Sequence, residues 1–205
     1  MIIGLTGESG AGKSTVARLL EMNGFYIIDC DAISRTLDTD KDYVAAIERA
    51  FGASAVHFYG GVKRVNRKAL GALIFGKNAV NGGVAKINAI SHPIIIARVY
   101  ESIALAKAAG KIAVIDAPLL FEAGLDSVCD ITVGVTAPES ERIARLCLRD
   151  GIDADMAKKR FANQKSEEFL RNNCTYIISN KEGSEALAAK VLDVTKKITK
   201  GLEKQ

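Results

Sequence analysis

A glycine-rich octapeptide near the amino terminus constrains the fold of this chain more than any other feature. Residues 7–14 read Gly-Glu-Ser-Gly-Ala-Gly-Lys-Ser and match the pattern G-x-x-x-x-G-K-[ST] at every fixed position. The apolar run Met1–Thr6 precedes the octapeptide, and Val16, Leu19 and Leu20 follow it at helical spacing. A strand, a glycine-rich turn and a helix in this order are typical of a phosphate loop, which binds phosphate with backbone N–H groups and with the helix dipole.

The residue types in the loop predict what binds there. Glycines let the backbone turn so that successive N–H groups point at phosphate oxygens. A lysine in this place neutralises the β- and γ-phosphates, and a serine hydroxyl ligates Mg²⁺. We therefore predict a nucleoside triphosphate site, with Mg²⁺ on Ser14, whose contacts come from Gly10, Ala11, Gly12, Lys13, Ser14 and Thr15.

Short apolar runs alternate with helical segments along much of the chain. The runs are rich in Ile and Val and lack polar alternation, which is typical of strands buried on both faces of a parallel sheet. The predicted strands are Met1–Thr6, Phe25–Ile28, Lys111–Ile115, Ile131–Val135 and Tyr176–Ile178. The predicted helices are Ser14–Asn23, Glu139–Arg149, Asp155–Gln164 and Ser184–Leu202. This order predicts an α/β fold with a three-layer parallel-sheet core around the phosphate loop.

Two segments interrupt the alternation. Residues 32–110 contain few β-branched runs and many helix formers, which predicts a mainly helical insertion between core segments 1–31 and 111–205. Within it, His92-Pro93 is expected to start or kink a long helix. The charged segment 149–164 is predicted to form a small helical lid.

The composition excludes several classes of protein. The 205 residues are 48% hydrophobic and 25% charged, and the formal net charge of +4 is too small to indicate nucleic acid binding. The longest apolar stretches are broken by charge well short of the ~20 residues that a membrane span needs, and the first residues lack a basic signal-peptide region. We therefore expect a cytoplasmic protein with no nucleic-acid or membrane partner, with a monomer favoured and its four cysteines reduced.

Three aspartates follow predicted strands, at the sheet edge where open parallel sheets bind ligands. Asp29 and Asp31 follow the second strand, and strand alternation predicts that both lie on one side. Either could deprotonate an acceptor hydroxyl; the alternative is that both cap the following helix. Asp116 ends the third strand and is either a second Mg²⁺ ligand or a turn residue before Pro118.

Three arginines lie on one face of the helix that leads into the predicted lid. Arg142, Arg145 and Arg149 are spaced at i, i+3 and i+7. A charged face of this kind is usually solvated, but one of the three could close over the transferred phosphoryl group. We predict the second role for one arginine, which the spacing does not identify.

The sequence after the last predicted strand argues against a GTPase. Asn180-Lys181-Glu182-Gly183 resembles the guanine-specifying N-K-x-D but ends in glycine. Three alternatives remain: a kinase for a small acceptor such as a nucleoside or a nucleoside monophosphate, a regulator that binds ATP without transferring phosphate, and a nucleic-acid binder. An acceptor base such as Asp31 has no use in a regulator, and the basic stretches at 158–160 and 196–197 lack aromatic platforms for bases.

Several ordered motifs resemble those of the dephospho-coenzyme A kinase family, from the phosphate loop to the last strand. After the loop, the chain carries Ile-Asp-x-Asp, His-Pro-x-Ile, Asp-x-Pro-Leu-Leu-Phe-Glu, Pro-Glu, Arg-Asp-Gly and Arg-x-x-x-Gln, at residues 28–31, 92–95, 116–122, 138–139, 149–151 and 160–164. The phosphate loop is common to many kinases. The order of the Asp-x-Asp, His-Pro and Pro-Leu-Leu-Phe-Glu motifs is specific to this family.

The resemblance implies an activity and roles for particular residues. The reaction would be ATP-dependent phosphorylation of the ribose 3′-hydroxyl of dephospho-coenzyme A, the final step of coenzyme A biosynthesis. The fold would be a P-loop kinase core with a helical acceptor-binding domain and a small helical lid. Asp31 would be the catalytic base, assisted by Lys13 and Arg149. The other implied contacts are His92, Pro93, Leu119, Leu120 and Glu122 with the acceptor, and Arg142, Arg145 and Asn180 with ATP.

The chain departs from the family pattern near the last strand. Such kinases often carry a lysine and an alanine-aspartate pair after the Arg-x-x-x-Gln motif, where this chain has Leu170, Cys174 and Thr175. The strand ends in Ser179-Asn180 where Asp-Asn is usual. These changes concern the lid side and leave the phosphate loop and Asp31 intact.

Overall fold

The computed structural model describes residues 1–76, 79–161 and 164–202. The chain separates into two compact units, Met1–Ile28 with Ile103–Gln205, and Asp29–Ser102. The strands in the described ranges are β1 (Ile2–Gly7), β2 (Tyr26–Asp29), β3 (Val56–Tyr59), β4 (Val62–Val65), β5 (Ala113–Asp116), β6 (Ile131–Thr136) and β7 (Tyr176–Ser179). The α-helices are α1 (Lys13–Met22), α2 (Cys30–Thr36), α3 (Lys41–Phe51), α4 (Arg67–Phe75), α5 (Gly83–Ala108), α6 (Glu139–Asp150), α7 (Ala154–Phe161), α8 (Glu167–Asn173) and α9 (Ser184–Leu202).

The first unit is built on a five-stranded sheet in the order β2-β5-β1-β6-β7. β1 lies at the centre and pairs in parallel with β5 and β6, and β6 pairs in parallel with β7. Because helices cover such a sheet, its strands are apolar on both faces, and Ile3, Leu5 and Val114 are fully buried. The predicted α/β fold is confirmed, and each predicted strand lies within two residues of an observed one.

Helices α1 and α9 pack together beside this sheet. α9 contributes Leu187, Val191, Val194 and Ile198, which recur every three to four residues and are buried on one face. Helix α7, which lies in the predicted lid segment, ends at Phe161. The remainder of the predicted helix Asp155–Gln164 includes Ala162 and Asn163, which lie outside the described residues.

The second unit is mainly helical, and it also contains a β-hairpin that the sequence did not predict. β3 and β4 pair antiparallel around Gly60 and Gly61, both of which have positive φ. Val56 and Val65 face the core of this unit, which includes Tyr43, Ile47 and Phe51.

The long helix α5 excludes one of the two alternatives predicted for His92-Pro93. It begins at Gly83, so His92-Pro93 lies inside the helix and does not start it. Proline removes one backbone donor, and the helix continues because its other N–H groups still bond along the chain. By length and mean hydropathy, 1.2, α5 resembles a membrane span, and 17% of that window is buried. Such helices also occur in the cores of proteins outside membranes.

Candidate active site

The phosphate loop connects β1 to α1 with two glycines in left-handed conformations. Gly10 has φ 80° and Gly12, which precedes the first residue of α1, has φ 103°. A Cβ atom at Gly12 would lie 2.6 Å from the Asn180 Nδ2 atom, and one at Gly10 would lie 2.8 Å from the Arg142 carbonyl oxygen. Conformation and space both require glycine at these two positions.

Four backbone N–H groups of the loop are open. Those of Gly10, Gly12, Lys13 and Ser14 donate to no acceptor among the described residues. The last two belong to the first turn of α1, where N–H groups have no partner within the helix and the helix dipole is positive. Open donors at a helix start form an anion site, which is the chemistry that the sequence predicts for phosphate.

Lys13 and Asp116 form an ion pair. Lys13 Nζ lies 2.6 Å from Asp116 Oδ1, and the two side chains are 13% and 8% exposed. Asp116 ends β5, directly beside β1 in the sheet, so the strand order places its carboxylate next to the loop. Ser14, the other predicted Mg²⁺ ligand, is exposed at the start of α1, and Thr15 follows it, partly buried.

Side chains hold three successive carbonyl groups of the loop. The Ser9 carbonyl accepts from Arg142 Nε at 3.0 Å, the Gly10 carbonyl from Arg145 Nη1 at 3.1 Å and the Ala11 carbonyl from Asn180 Nδ2 at 2.9 Å. The three donors were predicted to contact ATP, and that contact stays a prediction. In this structure they contact the loop itself.

A buried ion pair fixes Arg142. Its Nη1 atom donates to Glu8 Oε1 at 2.6 Å, and the two side chains are 7% and 6% exposed. The Phe161 ring of α7 covers the guanidinium, with 3.9 Å between Arg142 Cζ and the ring centroid. Burial raises the pKa of Glu8 above its ordinary value, and the Arg142 charge opposes that rise.

A second contact joins the loop to the segment after α7. The Ser9 N–H donates to Gln164 Oε1 at 2.9 Å, and Gln164 Nε2 donates to the Ser9 hydroxyl at 2.8 Å. The sequence predicts no role for Glu8, Phe161 or Gln164. Glu8 occupies an unspecified position of the loop pattern, and only the fold brings Phe161 next to Arg142.

Arg149 lies near the carboxyl end of α6, away from the carbonyl contacts of the other two arginines. Its side chain is 64% exposed and forms two hydrogen bonds with the Asp150 carboxylate, at 2.7 Å and 3.0 Å. Asp150 raises the pKa of Arg149, which stays a cation. Its predicted catalytic role stays a prediction.

The two aspartates after β2 have different surroundings, contrary to the prediction from strand alternation. β2 ends at Asp29 and α2 begins at Cys30, so Asp31 lies in the first turn of a helix. Asp29 is the helix cap, because its Oδ1 atom accepts from the Ala32 N–H at 2.8 Å. Asp31 is exposed and its carboxylate has no partner among the described residues.

An open cleft lies beside the loop within the first unit. Leu119 and Glu122, two of the predicted acceptor contacts, line it, and Leu119 is 44% exposed. Leu120 is fully buried with its side chain over Gly4, so it belongs to the core of this unit. The other lining residues are Thr6, Gly7, Glu8, Pro118, Phe121, Gln164, Lys165 and Leu170.

The remaining predicted acceptor contacts lie in the second unit, on α5. His92 is partly buried and Pro93 is exposed. The preceding residue, Ser91, is buried, and its hydroxyl forms a 3.0 Å hydrogen bond with the Tyr43 hydroxyl. This bond fixes the turn of α5 that presents His92.

Three of the four departures from the family pattern, those that precede the last strand, have structural surroundings that account for them. Leu170 is 2% exposed. Cys174 follows α8, and burial raises the pKa of its thiol to about 11. Thr175 pairs with Thr132: each side-chain oxygen accepts from the other residue's backbone N–H at 3.1 Å.

The donor set suits magnesium. Mg²⁺ prefers oxygen ligands and is usually held by one or two protein side chains together with water and substrate phosphates. An exposed hydroxyl at Ser14 and a carboxylate at Asp116, both beside open phosphate donors, fit that requirement. Within the described residues there is no cluster of three or more His, Cys, Asp or Glu side chains that could hold a metal alone.

Comparisons with known proteins agree with these features. The sequence model of dephospho-CoA kinase matches residues 1–186. Dephospho-CoA kinases of Corynebacterium efficiens and Deinococcus radiodurans are 39% and 38% identical to this chain, over 91% and 90% of it and 92% and 86% of their own lengths.

Solved structures share the architecture. A crystal structure from Thermus thermophilus superposes with a TM-score of 0.81 at 30% identity, over 95% of both chains. Dephospho-CoA kinase from Campylobacter jejuni gives 0.72 at 23% identity, over 98% of both chains. Shikimate kinase from Acinetobacter baumannii gives 0.53 at 18% identity, over 98% of this chain and 93% of its own. The last two comparisons concern the fold alone.

Proposed function

Because the chain belongs to the dephospho-coenzyme A kinase family, which catalyses the final step of coenzyme A biosynthesis, we propose roles in that reaction for the residues described above. ATP and dephospho-coenzyme A are the substrates of this family. The observation that carries the proposal is the group of four open loop N–H donors beside Lys13, since this arrangement can hold a triphosphate.

The loop residues Gly10 to Thr15 bind the phosphates of ATP. Open N–H groups donate to phosphate oxygens, and Lys13 leaves Asp116 to neutralise the β- and γ-phosphates. Ser14 and Asp116 hold Mg²⁺, which when bound lowers the charge on the phosphates. Arg149 adds positive charge from the end of α6, where a motion of the lid can bring it to the transferred group.

Asp31 is the base of the reaction. Its carboxylate takes the proton of the ribose 3′-hydroxyl as the hydroxyl oxygen bonds to the γ-phosphorus. The bond between the γ-phosphorus and the β–γ bridging oxygen breaks, and ADP leaves. An exposed carboxylate without a partner supports this role, while Asp29 is committed to capping α2. His92, Pro93, Leu119, Leu120 and Glu122 are proposed to hold or shape the acceptor site.

We further propose that the protein is a cytoplasmic monomer without nucleic-acid or membrane partners. The net charge of +4 supports the absence of a nucleic-acid partner. α5 carries Lys86, Arg98 and Glu101, and the last two pair on its surface, as in helices exposed to water.

The activity is tested by measuring ADP release from Mg-ATP with and without dephospho-coenzyme A, and by the mass of the product. We expect ADP release that depends on the acceptor, and a product one phosphate heavier. ADP release with a nucleoside or a nucleoside monophosphate in place of this acceptor would overturn the acceptor assignment. ATP binding without transfer to any of them would favour the regulator.

The base is tested with the substitution Asp31→Asn. We expect turnover to fall by about 10²-fold or more with little change in ATP affinity, since a general base contributes typically 10²–10⁴-fold. Asp29→Asn is the matched control, because asparagine caps a helix as well as aspartate does and turnover should be retained. Unchanged turnover in Asp31→Asn would remove Asp31 from the mechanism.

A further inference from the structure

Two peptide groups of the phosphate loop are each held at the carbonyl and open at the N–H. The Ser9 carbonyl accepts from Arg142 and the Gly10 N–H is open; the Ala11 carbonyl accepts from Asn180 and the Gly12 N–H is open. The described residues contain no cis peptide bonds. In a trans peptide group the C=O and N–H bonds point in opposite directions, so a donor that fixes the carbonyl also fixes the direction of the N–H.

Both donors are themselves held firmly. Arg142 is 6% exposed and is fixed by Glu8 on one side and by the Phe161 ring on another. Asn180 is 8% exposed, and its own N–H donates to the Thr136 carbonyl at 2.8 Å. A buried, bonded side chain has few alternative positions, and it can therefore impose a direction on a flexible glycine-rich loop.

We propose that Arg142 and Asn180 are positioning residues for ATP, which aim the Gly10 and Gly12 N–H groups at phosphate by holding the Ser9 and Ala11 carbonyl groups, and that Glu8 keeps Arg142 in place. This inference rests on ATP binding at the phosphate loop, as proposed above. It replaces the direct ATP contacts that the sequence predicts for both side chains with an action through the loop backbone.

Removal of the Glu8 charge distinguishes the two roles of Arg142, positioning of the loop and direct contact with phosphate. The two roles predict opposite changes in the affinity for ATP. If Arg142 contacted phosphate directly, removal of the Glu8 charge would free the guanidinium and remove a negative charge near an anion, so ATP would bind more tightly. If Arg142 acts through the loop, loss of its buried partner loosens the guanidinium, and ATP binds more weakly.

The first experiment measures the binding of Mg-ATP by calorimetry to the wild type, Glu8→Gln and Glu167→Gln. Glu167 is the matched control, because its charge also acts on Glu8 and Arg142 while its side chain pairs with Arg171 on the surface. We expect Glu8→Gln to weaken binding roughly 10-fold, as for loss of a buried charged hydrogen bond, and Glu167→Gln to leave binding unchanged or slightly tighter. Unchanged or tighter binding in Glu8→Gln would overturn the proposal.

The second experiment uses Asn180→Leu, which is similar in size but has no donor. Inorganic tripolyphosphate, a probe without a nucleoside, is titrated alongside ATP. Positioning through the loop predicts that both ligands lose affinity by a similar factor, roughly 10-fold. A loss of affinity for ATP alone would indicate that Asn180 contacts the adenosine part of ATP, and would overturn its positioning role.

Two further measurements distinguish a specific loss of ATP binding from a loss of folding or of acceptor binding. Thermal unfolding of each variant shows whether it is folded, and the KM for dephospho-coenzyme A should stay constant while the KM for ATP rises. Folded variants with normal affinity for ATP would make these contacts structural only and overturn the proposal. A wild type that binds neither ATP nor tripolyphosphate would instead overturn the assignment of the phosphate loop.

Discussion

At Gly12 the backbone conformation and the neighbouring atoms together exclude any other residue. Its φ of 103° is costly for a residue with a Cβ atom, and that atom would lie 2.6 Å from Asn180 Nδ2. Asn180 would have to move and would release the Ala11 carbonyl. One added methyl group therefore both strains the backbone at Gly12 and breaks the hydrogen bond between Asn180 and the Ala11 carbonyl.

We expect Gly12→Ala to lower the free energy of unfolding by about 2–4 kcal/mol, from the left-handed conformation and from the lost buried hydrogen bond. Gly24→Ala is the matched control: φ at Gly24 is 90° and a Cβ atom there meets nothing within 4 Å, so only the conformational cost of about 1–2 kcal/mol remains. Urea unfolding compares the two variants. Equal losses would show that the Asn180 contact adds nothing.

The sequence predicts the parts of the site that are contiguous in the chain. The loop, with Lys13 and Ser14, follows from one motif, and Asp116 follows from its place at a strand end. The side chains that hold the loop come from residues more than 130 positions later, and the sequence places Arg142 on the correct helix without indicating which atoms it meets. Only tertiary structure selects the Ser9 carbonyl as the acceptor.

At the scale of elements, Thr132 and Thr175 extend the contact between β6 and β7 beyond the sheet. The regular ladder begins at Val133 and Tyr176, and the two threonines add a reciprocal pair of side-chain to backbone bonds just before it. Cys174 and Thr175 stand where the family often has an alanine-aspartate sequence, and the bonds between Thr175 and Thr132 give this end of β7 a fixed register.

We expect Thr175→Val to destabilise the protein by about 1 kcal/mol, because the Thr132 N–H loses its acceptor while side-chain size is kept. Thr199→Val is the matched control, since the Thr199 hydroxyl bonds only within its own helix, and its effect should stay within about 0.5 kcal/mol. Chemical unfolding of both variants checks the difference. An effect in Thr175→Val no larger than the control's would contradict the role of the pair.

Element types are predicted better than element boundaries. The buried strands of the parallel sheet are predicted because apolar runs are specific to that setting. The hairpin β3–β4 is missed because each strand has only four residues and Lys63 and Arg64 are adjacent in β4, so no alternating pattern marks it, although Gly60-Gly61 between the strands is a hairpin signal. The alternation argument for Asp31 fails because α2 starts one residue after Asp29, which the Asp29 cap makes possible.

At the scale of the whole molecule, burial sets the reactivity of two of the four cysteines. Cys129 and Cys174 lie in the first unit, and burial raises their thiol pKa values to about 12 and about 11. Only the thiolate reacts with disulfide reagents, so a raised pKa keeps both residues inert at neutral pH.

We expect the native protein at pH 8 to react slowly with an aromatic disulfide at Cys129 and Cys174, because their thiolate fractions are about 10³-fold and 10²-fold below that of an ordinary cysteine. In denaturant all four thiols should react. The double substitution Cys129→Ala and Cys174→Ala should leave the native reaction unchanged and remove two equivalents from the denatured one. If the double variant lost a fast phase of the native reaction with the disulfide, the expectation would be contradicted.

The ion pair between Lys13 and Asp116 has a consequence for the order of ligand uptake. The ammonium group occupies a carboxylate oxygen that a metal ion needs, so Mg²⁺ alone would have to compete with a tethered cation. Under the roles proposed above, a triphosphate draws Lys13 away and so releases that oxygen for the metal. We then expect Mg²⁺ and nucleotide each to raise the affinity for the other by the same factor, and Mg²⁺ added without nucleotide to produce almost no binding heat.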